Sequence, residues 1–172
     1  MQIELHELIM TLESIMGVTA MQMDHIDRKI LQILSENSAA TATEMVPLVN
    51  LSIPAINKRI QKLQSAGVIQ KFTIVVDPAK IGKPISAYIL LVLQQGAKME
   101  ALMDIIRSDP DILECAGGTG EYDYLLKVCS ADVASLQRKI NHLKKYGGVV
   151  KSHTMLSLTE YKRQVSPLPD DR

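Results

Sequence analysis

Apolar positions along the chain keep two different periods, and the change between them divides the sequence. Residues 3–16 set Leu5, Leu8, Ile9, Leu12, Ile15 and Met16 at helical spacing, which predicts a short amphipathic helix ended by Gly17. From Asp24 the helical signal sharpens. Asp24 is an acceptable N-cap, with Asp27 three residues on near the positive end of the helix. Ile26, Ile30, Ile33 and Leu34 form its apolar stripe, which ends near Asn37. Thr41 starts a second, shorter helix carrying Met45, Leu48 and Val49, and Asn50 can take the left-handed conformation that ends it. Ser52 caps a third helix, with Pro54 in the first turn, where a missing N–H costs nothing. Ile53, Ile56, Ile60 and Leu63 form its stripe, and Gly67 stands at C′ with Val68 placed to meet Leu63 in a Schellman motif. Only Asn50 and Leu51 separate helices two and three, the spacing of a helix-turn-helix.

After Lys71 the period becomes that of strands. Phe72–Val76 is a β-branched run closed by Asp77-Pro78, and Lys80–Pro84 reads as a linker. Ile85–Leu93, Ile112–Ala116, Tyr122–Val128 and Val149–Leu158 follow as strands. Between them, Met99, Leu102, Met103 and Ile106 predict one helix and Val133, Leu136, Ile140 and Leu143 another. The order βαββαβ is that of a ferredoxin-like unit, an antiparallel sheet with both helices on one face. The fold class is therefore α+β, a three-helix, winged-helix-like helix-turn-helix joined by a strand to a ferredoxin-like domain. We assign 1–23 to an N-terminal extension, 24–77 to the helical domain, 78–83 to the linker, 84–163 to the ferredoxin-like domain and 164–172 to a disordered tail. The sheet face opposite the helices needs cover, which a second copy of the chain would supply.

Charge adds a partner to this picture. The 172 residues carry 19 Lys+Arg and 19 Asp+Glu, so no blanket polyanion binder is indicated. Yet residues 51–76 hold Lys58, Arg59, Lys62 and Lys71 and no acid. At about 100° per residue, Lys58 points almost opposite the apolar stripe of the third helix. Lys62 and Pro54 fall near it, with Asn57 and Arg59 on the flanks. The exposed face of the candidate reading helix is thus the charged one, as a DNA contact requires. No apolar run reaches the length of a transmembrane helix, and the acidic first 20 residues do not suit a secretory signal. Two cysteines make no disulfide framework, so a cytoplasmic protein is expected.

Other chemistry is sparse. Gly117-Gly118-Thr119-Gly120 is followed by a strand, not by a helix that could hold a pyrophosphate, so a dinucleotide site is rejected and a hairpin turn with glycine at positive φ remains. Asp123 lies at the root of that hairpin. Its partner is either the loop N–H groups or the ammonium of a small zwitterion whose carboxylate takes those N–H groups and the Thr119 hydroxyl. With the turn centred near 119, Cys115 faces about residue 123, and both Cys115 and Cys129 read as core residues. His6, His25, His142 and His153 show no metal-ligand spacing, and no nucleophile elbow, phosphate loop or catalytic carboxylate pair appears. No catalytic residue, metal or cofactor is expected.

These residues together resemble the Lrp/AsnC, or feast/famine, family of regulators. The resemblance runs from Asp24 to about Arg163. It is carried by Asp24-His25-Ile26-Asp27-Arg28-Lys29-Ile30-Leu31, by Leu51-Ser52 with Arg59-Ile60 and Gly67-Val68-Ile69, and by Gly120-Glu121-Tyr122-Asp123-Tyr124-Leu125-Leu126. It implies a transcription regulator that binds double-stranded DNA, dimerises and assembles further, commonly to octamers, with an amino acid or related metabolite bound between dimers. Carried onto this chain, DNA contact falls to Ser52, Asn57, Lys58, Arg59 and Lys62, and effector contact to Gly118, Thr119, Gly120, Asp123 and Thr154. Three positions depart from the family pattern. Pro47 lies inside the second helix, Asn50 stands where glycine is frequent, and Gln61 stands where many members are basic. Residues 1–23 have no counterpart in that pattern. Two other functions fit the same elements, a non-sensing architectural DNA binder and a small-molecule sensor acting on a protein partner.

Overall fold

A computed structural model describes residues 21–97 and 99–169. The helix expected over 3–16 lies outside them, as do 170–172. The chain forms two compact units, Met1–Ile74 with Gln164–Arg172, and Val75–Arg163. The division falls ahead of the expected linker, because 78–83 is not a spacer. Ala79–Ile81 make a turn of 3-10 helix, and the Lys83 N–H returns to the Pro78 carbonyl at 2.8 Å.

The first unit is built on α1 (His25–Glu36), α2 (Ala42–Val49) and α3 (Ile53–Ser65). Its caps explain its boundaries. The Asp24 carboxylate accepts the Asp27 N–H at 2.8 Å. Thr41 and Glu44 close a reciprocal capping box. Asn50 ends α2 at φ 53°. At the end of α3, Val68 N–H returns to Leu63 C=O at 2.9 Å and Gly67 N–H to Gln64 C=O at 2.9 Å, with Gly67 at φ 72°, the full Schellman pattern. Ser52 holds the N-cap position of α3 but makes no capping hydrogen bond, contrary to expectation. Pro54 is the second helical residue, so one of the two N–H groups an N-cap oxygen normally accepts does not exist. The helices bury Ile30, Leu34, Met45, Val49, Ile56 and Leu63 together. Leu48 and Ile53, expected in this core, are exposed on either side of the α2–α3 turn.

Phe72–Val76, expected as a strand, pairs with no strand among the described residues. A strand needs a neighbour's N–H and C=O groups, and here Phe72, Ile74, Val75 and Val76 stay exposed.

The second unit contains β1 (Ile85–Leu93), α4 (Met99–Ser108), β2 (Ile112–Gly117), β3 (Tyr124–Ser130), α5 (Val133–Tyr146) and β4 (Val149–Leu156). The four strands form one antiparallel sheet in the order β2-β3-β1-β4, the ferredoxin-like arrangement. Ala87, Ile89 and Leu91 alternate inward from β1 and meet Leu126 and Val128 of β3 and Leu102, Leu136, Ile140 and Leu143 of the helices. The intervening positions of the sheet, Tyr88, Leu90, Val92, Leu125 and Met155, lie on the face without helices, half-buried or exposed.

Ion pairs join the ends of this unit. Asp111 bonds Lys83 and lies 3.0 Å from Lys139, whose ammonium also bonds both Asp109 oxygens at 2.8 and 2.6 Å. The Lys83 hydrogen bond, and after it Lys139, hold the Asp111 carboxyl below its ordinary value of 3.8. A depressed folded-state pKa gives stability that is fully present above the ordinary value and lost as pH falls through the lower one. Chemical unfolding should therefore find Asp111→Asn weaker than the wild type by about 1–3 kcal/mol at neutral pH. The two should converge in acid below the carboxylate range, and equal stability at neutral pH would contradict this.

Candidate functional site

Two places gather the chemistry. The first is the outer surface of α3. Ile56 and Leu63 are buried against α1 and α2, which turns Asn57, Lys58 and Gln61 to solvent. Ser52 is exposed at the helix start. Lys62 keeps 59% of its side chain accessible, yet its ammonium lies 3.9 Å from Asp27. Arg59 is held differently from its neighbours. Its Nη1 donates to Asp24 Oδ2 at 2.7 Å and to Asp27 Oδ1 at 2.7 Å. The Asp24 and Asp27 hydrogen bonds raise the guanidinium pKa, and the Asp27 N–H, then Arg59, lowers that of Asp24. The +4 segment read from sequence is therefore partly balanced by the acids at the start of α1. Charge counting along one window could not find this, since the partners lie 32 and 35 residues away.

The second place is the β2–β3 hairpin. Gly117 pairs with Tyr124, so six residues, 118–123, make the connection, and the turn is wider than expected. That shift moves Cys115 opposite Leu126 instead of about residue 123. Cys115 is exposed on the edge strand, not in the core, whereas Cys129 is buried. Among the hairpin glycines only Gly120 takes a positive φ, 119°.

Asp123 ties this loop to β1 through three groups. Its N–H donates to Leu91 C=O at 2.9 Å, and its C=O accepts from Gly118 N–H at 3.0 Å. Its carboxylate Oδ2 accepts the Leu93 N–H at 2.7 Å. Within the chain the partner of the carboxylate is thus a β1 N–H beyond the β1–β3 ladder and not the loop N–H groups. Oδ1 and the Thr119 hydroxyl accept no hydrogen bond among the described residues. Lys151 of β4 also reaches this loop. It bonds Glu121 and lies 5.2 Å from the centre of the Tyr122 ring. Each partner fixes the other's charge, lowering the Glu121 pKa and raising that of Lys151. Sequence reasoning missed Glu121 and Lys151 as neighbours because no local signal sets Lys151 of β4 opposite Val92 of β1. Thr154 pairs with Ile89, farther along β1, and is not brought to the loop of its own chain.

The helix-turn-helix with its basic outer face and the ferredoxin-like unit with its anchored hairpin define a DNA-binding protein with a separate sensing module. The comparisons agree on both halves. A winged helix-turn-helix DNA-binding family model matches residues 23–70, and the Lrp/AsnC ligand binding domain model matches residues 86–167. The regulator FL11 of Pyrococcus horikoshii is 32% identical over 86% of this chain and 96% of its own length. LrpC of Bacillus subtilis is 28% identical over 83% of this chain and 97% of its own. Among solved structures, the NMB0573/L-Met complex from Neisseria meningitidis superposes with TM-score 0.80 at 29% identity, covering 85% of this chain and 96% of that one. This chain belongs to the Lrp/AsnC family of transcriptional regulators.

The anchoring of the hairpin makes a specific prediction. Asp123→Ala leaves the Leu93 N–H without its acceptor, which should cost about 1–3 kcal/mol and speed amide exchange at Leu93. Asp123→Asn keeps an oxygen there and should retain most of the protection. Unchanged exchange in the alanine variant would contradict the contact.

Proposed function

We propose that this regulator reads DNA through α3 and adjusts that reading to an amino acid or a closely related metabolite held at the 118–123 hairpin. The observation that carries the DNA half is the side of α3 left outside the core, where Asn57 and Lys58 stand free and Lys62 stays largely accessible. Lys58 and Lys62 take phosphates, Asn57 lies at a base edge, and Ser52 meets a phosphate at the helix start. The effector half is supported by the match to a ligand binding domain and by the L-Met complex of a relative. Thr119 and Gly120 would offer N–H and hydroxyl groups to the ligand carboxylate, beside Gly118, whose own N–H already bonds the Asp123 C=O, and the free Asp123 oxygen would receive its ammonium. Glu121 and Lys151 stand beside them. Thr154 would join such a site from another copy of the chain.

The apolar positions on the open face of the sheet favour a homodimer, which gives paired reading heads, and we extend this to a higher assembly, an octamer. The protein acts in the cytoplasm by binding alone, with no catalytic step and no resident cofactor. No helix among the described residues is long and apolar enough to cross a membrane.

Two experiments test the two halves separately. Lys58→Ala should weaken binding to all duplexes alike and flatten the log–log salt dependence by about 0.9, one phosphate's share. An unchanged slope would remove Lys58 from the interface. A thermal-shift scan against the twenty amino acids should raise Tm selectively, since a ligand at 100 times its Kd adds ~2.7 kcal/mol. Asp123→Asn should abolish that shift while leaving the hairpin anchored. A flat scan would favour an architectural DNA binder, and a stable enzyme partner with no DNA selection would favour a sensor acting on a protein.

A further inference from the structure

Arg59 occupies a position on α3 where a DNA ligand is expected, and its contacts argue for another task. One nitrogen, Nη1, serves two carboxylates at 2.7 Å each. One of them, Asp27, is 1% exposed and is one of only two polar residues buried among the described ones. Withdrawing the guanidinium toward a phosphate would leave that carboxylate, among the described residues, facing only the Lys62 ammonium at 3.9 Å. An orphaned buried carboxylate costs more than an exposed ion pair returns.

The position of the three residues matters as much as their charge. Asp24 is the N-cap of α1, its carboxylate held by the Asp27 backbone N–H, and the Asp27 side chain is confined by burial in the first turn. Arg59 lies between the buried Ile56 and Leu63 of α3. Apolar packing alone allows a helix to roll slightly about its axis, whereas a guanidinium bonded to two anchored carboxylates does not. The roll of α3 sets which way Asn57 and Lys58 point.

We propose that Asp24, Asp27 and Arg59 form a clamp that fixes the rotation of the reading helix, making Arg59 a positioning residue for sequence selection and not a phosphate ligand. This rests on the DNA-reading function of α3. The two roles differ in one readout, the preference for a selected duplex. Asp27→Asn removes a negative charge beside the DNA-facing helix, which strengthens binding to any duplex. If Arg59 were a phosphate ligand, its release would leave that preference intact; if it is a clamp, loosening it lowers selection.

The test uses the full chain and two probes, a duplex selected by the wild type from a random-sequence library and a scrambled duplex of equal composition. Asp27→Asn and Arg59→Ala are each expected to lower the preference for the selected duplex on the order of tenfold, the size of one misread base pair. Arg59→Ala should leave the salt slope as in the wild type. Asp24→Asn, whose side-chain oxygen still caps α1, should lower the preference in the same direction and guards against misfolding of the buried variant. An undiminished preference in Asp27→Asn, or a slope flattened by about 0.9 in Arg59→Ala, would overturn the clamp while leaving DNA reading in place. A wild type that selects no duplex would overturn the DNA reading and the clamp with it.

Discussion

The second unit depends on β1 being paired along both edges. β3 and β4 each align antiparallel to it, and Ala87, Ile89 and Leu91 are fully buried where the helices cover it. A central strand of this kind has no freedom of register, because a one-residue slip would turn its apolar set to the open face. The hairpin inherits that rigidity. The Asp123 carboxylate is fixed on the last N–H of β1, so residues 118–120 are held at a position the core determines.

The first unit solves a different problem with the same means. Three short helices enclose six buried apolar residues, a small core that leaves orientation weakly determined. Capping contacts fix where each helix starts and stops. The carboxylates of α1 then meet α3 through Arg59, so the charge that looks surplus in the sequence is partly structural. On the outer side of α3, Lys58 is exposed and has no ion pair among the described residues.

What could be read from the sequence divides along the same line. The caps at Asp24, Thr41 and Gly67 and the left-handed Asn50 were legible because each depends on residues within a few positions. The order of strands and helices was legible from period alone. The failures involve partners distant in sequence. Phe72–Val76 has strand composition but no strand beside it, Ile53 and Leu48 fit helical stripes but fall at the edge of a small core, and Cys115 was misplaced by the width of a loop. At the candidate sites the residue types were legible and their engagements were not. Neither the Asp123–Leu93 contact nor the pairing of Arg59 with Asp24 and Asp27 leaves a local signature. Ser52 was a partial case, a correct N-cap position that makes no capping hydrogen bond, with Pro54 removing one of the two donors it could use.

A regulator of this kind responds to a ligand only if the ligand binds one DNA-reading arrangement more tightly than another. The most direct measurement is a fluorescence-anisotropy titration of a duplex bearing two selected half-sites, with and without a saturating amino acid that shifts the thermal transition. The account predicts that the amino acid changes affinity for this duplex by about 5–150-fold, the usual range of allosteric coupling, and that the same duplex changes affinity for the amino acid by an equal factor. An amino acid that binds yet leaves DNA affinity unchanged would contradict the claim that one unit governs the reading done by the other.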